Sequence, residues 1–218
     1  RENSLKADFG YFLNPNNTLR FGASTTYHTF KPGTFEPKKN SGESNPFNKI
    51  EIPGINALGH SAYVSNEQKI GALLTVTYGT RLSVFQNMGK ATIYNFDKTN
   101  PMDYRVIDST VYDKREIFQT YTRLEPRIRA TYKLDEVSSV KASYSRNNQY
   151  VQLVSNSTVG TPLDIWLPSS PNIKPQQSDQ YAVGYFRNFL NNALEASVEV
   201  YYKKMDNVIG YREGATFI

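Results

Sequence analysis

Residues 121 to 133 read YTRLEPRIRATYK, and charged and apolar side chains alternate along this segment. The charged positions are Arg123, Glu125, Arg127, Arg129 and Lys133. A repeat of two places successive side chains on opposite faces of an extended strand. The segment therefore predicts a β-strand with one charged face and one apolar face, and the fold must give each face a different environment.

The same repeat recurs in seven other segments, while helix signals are poor throughout the chain. The eight predicted strands cover approximately residues 5–13, 18–30, 61–66, 73–86, 121–133, 139–153, 179–188 and 193–209. Their connections alternate between short breaks and long ones, the long ones lying near residues 31–59, 88–119 and 154–177. Structureless connections of that length are uncommon in compact domains. We therefore expect one antiparallel sheet with short turns at one end and long loops at the other.

Alternation alone does not decide between a soluble β-sandwich and a membrane barrel, since both have one apolar and one polar face. Several predicted strands have about ten or more residues, which exceeds the usual five or six and matches the roughly 9 to 11 that cross a bilayer. Short turns opposite long loops are typical of bacterial outer-membrane barrels. Lipid offers no partner to the backbone of an open edge. We therefore predict an all-β, antiparallel up-and-down transmembrane β-barrel over a soluble sandwich.

The composition excludes several classes of function. No stretch approaches the roughly 18 consecutive apolar residues of a membrane helix. Cysteine is absent from the 218 residues, which rules out disulfides, thiol catalysis and Cys-based metal sites. The net charge of +5 is modest and the basic residues are scattered, so no nucleic-acid partner is expected. The 16 tyrosines suit strands and membrane boundaries, because each has an apolar ring and a polar tip.

Several segments also resemble a known family. LEPRIRATYKL, PNIKPQQSDQYAVGYFRN, EASVEVYYKKMDNVIGYREGA and SNEQKI followed by YGTRLSVFQNMG are similar to the barrel of TonB-dependent outer-membrane receptors of the Bacteroidetes type. The resemblance covers essentially the whole chain. It implies a barrel of about 22 strands in the cell outer membrane, of which residues 1–218 would form about eight as a partial barrel domain.

The resemblance further implies a plug domain and a TonB-contacting segment, both expected outside this chain. The implied function is energised import of a nutrient, with the siderophore, cobalamin, glycan and peptide classes all open. The implied partners are the TonB complex, the plug domain and outer-membrane lipid, with a surface lipoprotein as a further candidate; no cofactor is expected. A passive porin and a small barrel with adhesive loops are the alternative functions.

Two groups of residues are candidates for ligand binding. The charged row could bind an anionic ligand or hold the plug, or it could line a hydrated lumen and pair with neighbouring strands and the plug. Its members are Arg123, Glu125, Arg127 and Arg129. Aromatic residues of the predicted outer loops could capture a ligand or pack the loops. They are Tyr94, Phe96, Tyr104 and Trp166.

Catalysis has little support in the sequence. His28 and His60, the only histidines, could supply a base to an outer-membrane hydrolase, but no recognisable motif surrounds either residue. We expect both to be rim residues, with His60 at the start of its strand, and we expect neither an enzyme nor a dedicated metal site.

Pro126 does not fit the strand that contains it. Proline cannot donate a hydrogen bond to a sheet ladder, so within sheets it is found at edges and bulges. We therefore expect a local bulge at Pro126.

Overall fold

The protein forms one large antiparallel sheet and three two-stranded ribbons. The computed structural model describes residues 1–31, 33–35, 50–52, 54–97, 105–154 and 165–210. The strands are β1 (Glu2–Asn14), β2 (Asn17–Phe30), β3 (Gly33–Phe35), β4 (Ile50–Ile52), β5 (Ile55–Ile70), β6 (Leu74–Met88), β7 (Ala91–Phe96), β8 (Val106–Tyr112), β9 (Ile117–Lys133), β10 (Ser138–Gln149), β11 (Val151–Val154), β12 (Ile165–Pro168), β13 (Gln176–Phe189) and β14 (Leu194–Asp206). No helix in these ranges is long and apolar enough to cross a membrane.

The large sheet has the order β1-β2-β5-β6-β9-β10-β13-β14, so every long strand pairs with its neighbours along the chain. This arrangement confirms the predicted all-β, antiparallel up-and-down topology and all eight predicted strands. The third predicted strand is much longer than expected, since β5 has 16 residues. Along β1 and β14 the sheet has open edges within the described residues.

Side-chain hydrogen bonds shape the short turns between long strands. In the turn from β9 to β10, Asp135 Oδ1 accepts hydrogen bonds from the amides of Val137 (2.8 Å) and Ser138 (2.7 Å). In the turn from β1 to β2, Asn14 Oδ1 accepts one from the amide of Asn16 at 2.9 Å. Asx interactions of this kind fix the path of a tight turn and, with it, the register of the hairpin.

The two faces of the sheet differ as the alternation predicts. On β9, Leu124 and Ile128 are 55% and 47% exposed on the apolar face, whereas Glu125 on the polar face is 4% exposed. Tyr144, Tyr181 and Tyr202 lie directly opposite one another on β10, β13 and β14 and form a row on the apolar face. The protein therefore presents a continuous apolar surface to its surroundings on that side.

The prediction of a bulge at Pro126 is wrong. Pairing between β6 and β9 passes through Pro126 without a register shift, with Thr80 opposite it. Pairing between β9 and β10 instead ends at the next residue, where Arg127 lies opposite Ser145. Because proline has no N–H to donate, the sheet accommodates it where one neighbouring strand has already separated.

Each of the three long connections contains a ribbon, which the alternation of long and short breaks did not predict. The ribbons pair β3 with β4, β7 with β8 and β11 with β12. In the ribbon formed by β7 (ATIYNF) and β8 (VIDSTVY), both strands are short and contain β-branched residues, which favour strands. The long connections therefore extend the hairpin architecture beyond the sheet.

Candidate functional site

Beyond its last pair with β9, β10 remains paired with β13 as far as Gln149, and residues Asn147 to Gln152 approach the polar face of β6 and β9. We call these residues the crossing segment. Arg127 Nη2 donates a hydrogen bond to Asn147 Oδ1 at 2.7 Å, and Asn148 Nδ2 donates one to Glu125 Oε1 at 3.4 Å. The Tyr150 ring stacks on the Phe85 ring, with 5.1 Å between centroids and an angle of 11°. The crossing segment is thereby held over β6 and β9.

The chain returns to the sheet through Ser169–Pro175, the return limb, which is anchored by hydrogen bonds to its backbone carbonyls. Asn87 Nδ2 donates to Ser169 O at 2.7 Å, and the Tyr121 hydroxyl donates to Ser170 O at 2.7 Å. Gln152 Nε2 donates to Lys174 O at 3.1 Å and so joins the two parts. Asn87 and Gln152 are 0% and 2% exposed. Such deeply buried amides need these bonds, because an unpaired buried polar group is costly.

A cavity of about 330 Å³ lies beneath the crossing segment. We call it the Glu125 pocket. Small residues of β2, β5 and β6 form its floor. Its wall contains three rings and three polar side chains, which are His28, Phe85, Tyr150, Arg81, Glu125 and Asn148. The centroid of the His28 ring is 5.9 Å from that of Phe85, so the three rings form one aromatic cluster.

Glu125 is a buried acid held by neutral groups. Ser83 Oγ donates to its Oε1 at 3.1 Å, and Asn148 donates to the same oxygen. Within the described residues, no basic side chain forms an ion pair with Glu125, and its Oε2 accepts no hydrogen bond. Arg81, directly opposite on β6, has its guanidinium carbon 5.9 Å from the centroid of the Tyr63 ring. One carboxylate oxygen is therefore available to a ligand.

The rest of the charged row lies on the same face. In the part of the chain that the structure describes, Arg123, Arg127 and Arg129 form no ion pair with a neighbouring strand. Arg127 and Arg129 line a second groove with Arg81, of about 490 Å³. The row thus contributes one acid to the Glu125 pocket and two bases to this adjacent groove.

The side chains of the two histidines lie on opposite faces of the sheet, although both residues contribute to the lining of the Glu125 pocket. His28 Nδ1 is 2.9 Å from Glu2 Oε1, and its ring lines the Glu125 pocket on the polar face. His60 Nδ1 is 2.9 Å from Thr25 Oγ1 on the apolar face. The prediction that His60 lies at the start of its strand is wrong, because β5 begins at Ile55 and His60 lies within it.

The predicted loop aromatics are only partly brought to the site. Tyr94 on β7 is 49% exposed, and its carbonyl accepts a hydrogen bond from Asn172 Nδ2 of the return limb at 3.0 Å. Phe96 ends β7, and Trp166 on β12 is 55% exposed. Tyr104 lies outside the described residues. Tyr94 thus contacts the return limb, and the described lining of the Glu125 pocket includes none of these aromatic residues.

Four residues of the site were not found from the sequence: Phe85, Asn87, Tyr150 and Gln152. The segment SVFQNMG did contain a signal. Phe85 follows Arg81 and Ser83 at alternate positions of β6, so it shares the polar face with them. A large apolar residue on a polar face indicates that something covers it. Tyr150 carried no such signal, because its position depends on where β10 leaves β9.

Burial also changes the acidity of Tyr150. Loss of solvent around its hydroxyl raises its pKa to about 12, and the negative charge of Glu125 acts in the same direction. Tyr150 is therefore neutral at physiological pH.

Among the described residues, no group of three or more His, Asp or Glu side chains is placed to hold a metal ion.

Residues 1–218 match the family model described as "TonB dependent receptor-like, beta-barrel". The chain belongs to this family. The predicted resemblance to TonB-dependent receptors is confirmed at this level, and so is the prediction that the chain is not an enzyme, since the family is one of receptors. No curated protein matches the sequence.

Several solved structures share the fold of this chain. The FrpB iron transporter of Neisseria meningitidis (F3-3 variant) is 14% identical, with a TM-score of 0.59 over 92% of this chain and 27% of that one. The ferric-catecholate import receptor Fiu of E. coli K12 is 12% identical, with a TM-score of 0.56 over 99% and 32%. The alcaligin outer-membrane receptor FauA of Bordetella pertussis is 15% identical, with a TM-score of 0.51 over 99% and 30%. The chain thus spans about three tenths of the length of these structures.

Proposed function

We propose that the chain forms part of the wall and the extracellular loops of a TonB-dependent transporter that imports a nutrient across the outer membrane. The family match over residues 1–218 is the observation that carries this proposal. Its structural neighbours are named as an iron transporter, an alcaligin outer-membrane receptor and a ferric-catecholate import receptor, which supports transport without specifying the nutrient. The siderophore, cobalamin, glycan and peptide classes remain the candidates.

In this proposal the apolar face meets lipid and the polar face meets the lumen. Large apolar side chains of the apolar face are exposed at both edges of the sheet, where Leu5 on β1 and Val198 and Val200 on β14 are 70% to 74% exposed. The row formed by Tyr144, Tyr181 and Tyr202 suits the aromatic girdle at a membrane boundary. Closure with further strands would satisfy the open edges at β1 and β14, and the family resemblance implies about 22 strands in the complete barrel.

The proposed partners follow from the family. They are a plug domain of the same parent protein, the TonB complex reached through a segment outside residues 1–218, outer-membrane lipid and a surface lipoprotein. We also propose the Bacteroidetes type, on the segments whose resemblance is described above. Residues 1–218 would then be a partial barrel domain of the parent receptor.

Uptake measurements test the proposal. A strain that expresses the parent receptor takes up the nutrient, and deletion of either the receptor gene or tonB should abolish that uptake. A passive porin of the same fold would lose uptake only when its own gene is deleted. Uptake that persists without TonB would therefore overturn the transporter proposal.

A further inference from the structure

We infer that the Glu125 pocket binds a neutral polyhydroxylated ring, such as the terminal sugar of a glycan. The inference rests on the proposed import function and names the ligand class for one site within it. It follows from three properties of the pocket, which are its surplus of acceptors, its balance of charge and its size.

The pocket offers hydrogen-bond acceptors that have no donors. Glu125 Oε2 accepts no hydrogen bond from the described residues, and within the same part of the chain Asn148 Oδ1 and the Tyr150 hydroxyl are buried without a partner. Buried polar atoms of this kind are destabilising unless something pairs with them. A sugar hydroxyl both donates and accepts, so several on one ring could satisfy a carboxylate, an amide oxygen and a phenol together.

The charges around the pocket select against an ionic ligand. Glu125 is 4% exposed, and its negative charge opposes an anion. Arg81 lines the same pocket, so a cation meets a positively charged guanidinium group there. His28 is held by Glu2 and adds no isolated charge. A neutral ligand that can bond to both an acid and a guanidinium group suits this arrangement best.

The size and the walls of the pocket favour one small ring. A volume of about 330 Å³ is at the lower end of the roughly 300 to 1,000 Å³ found for ligand sites. His28, Phe85 and Tyr150 form an apolar wall that can pack against the C–H groups of a ring, while the small residues of the floor leave room beneath it. Few convergent polar groups beside aromatic side chains are typical of small-ligand sites.

Binding of free sugars to the parent receptor, purified in detergent, tests the inference. Glucose, galactose, mannose and N-acetylglucosamine are titrated in turn and binding is followed by calorimetry. At least one sugar should bind, and Glu125→Gln should weaken that binding by about tenfold or more, because a hydrogen bond to a charged acceptor is lost. The matched control is Glu199→Gln on β14, an exposed glutamate outside the pocket, which should leave the affinity unchanged.

Tyr150→Phe provides a second variant if Glu125→Gln does not fold, since it removes only the hydroxyl, and it too should weaken sugar binding. Failure of all four sugars to bind the folded receptor would overturn the inference, as would equal effects of Glu125→Gln and Glu199→Gln. Binding of ammonium or citrate that depends on Glu125 would also overturn it. If uptake depends on TonB but no sugar binds, the inference about the pocket fails and the proposed function stands. If a sugar binds but uptake does not depend on TonB, the proposed function fails and the inference about the pocket stands.

Discussion

Arg127 and Ser145 are the last residues that pair between β9 and β10, and Pro126 is the next residue of β9 towards the loops. Beyond this pair β10 separates from β9 while it remains paired with β13 as far as Gln149, and its end forms the crossing segment that contacts Glu125 and Phe85. The position of one proline in a strand is thus directly related to the formation of the pocket.

Replacing Pro126 with valine should extend the ladder between β9 and β10. Valine supplies the missing N–H and favours a strand, so residues 146 to 150 should pair with β9 and withdraw Tyr150 from Phe85. Hydrogen exchange measured by mass spectrometry on the parent receptor should show slower exchange in this segment. Leu124→Val on the same face is the control, and equal exchange in both variants would contradict the role given to Pro126.

Asn87 should anchor the return limb. Asn87→Ala leaves the buried carbonyl of Ser169 without its donor, and we expect a loss of about 1 to 3 kcal/mol of local stability. Limited proteolysis should then cut the return limb faster than in the unmodified receptor. Asn95→Ala, at an exposed position on β7, should leave the cleavage rate unchanged.

The assignment of the two faces can be tested on β14. Val198 is 70% exposed on the apolar face, and its neighbour Ser197 is exposed on the polar face. Val198→Arg should reduce the free energy of unfolding in a lipid bilayer by about 2 to 4 kcal/mol if the position is near the bilayer midplane, whereas Ser197→Arg should have little effect. Urea titrations of the receptor in vesicles measure both, and the reverse order of effects would invert the assignment.

The acidity of Tyr150 predicts a pH dependence. Its folded-state pKa of about 12 exceeds the ordinary value of 10.0, so its contribution to stability is complete below about pH 10 and is lost as the pH rises towards 12. The tyrosinate absorbance of the receptor minus that of Tyr150→Phe should show one group titrating near 12. Glu125→Gln removes a nearby negative charge and should lower this pKa. A difference titration centred on 10 would show that Tyr150 is not buried.

The sheet was predictable from the sequence because its alternation is local. Eight strands, their order and the faces of residues such as Leu124 and Glu125 all follow from a repeat of two combined with short turns. Asp135 and Asn14 are recognisable as turn residues for the same reason. None of these features depends on contacts between distant parts of the chain.

The pocket was not predictable, because it depends on distant contacts. Pairs such as Asn87 with Ser169 and Tyr150 with Phe85 join residues that no periodicity relates. The sequence does show that Pro126 cannot donate to the ladder, but it does not show whether the sheet responds with a bulge or with a separated strand. The one local sign in the sequence that a second layer covers this face was the position of Phe85, an apolar residue on the polar face of β6.

The sheet order has a further consequence for how the protein assembles. Because every long strand pairs only with its neighbours along the chain, each hairpin can form from residues close in sequence and then be added to the edge left by the previous one. The entropy lost in closing each short turn is small, and the ribbons lie outside the ladder that grows. Assembly can therefore proceed one hairpin at a time, with the length of an outer loop free to change without altering the register of the wall.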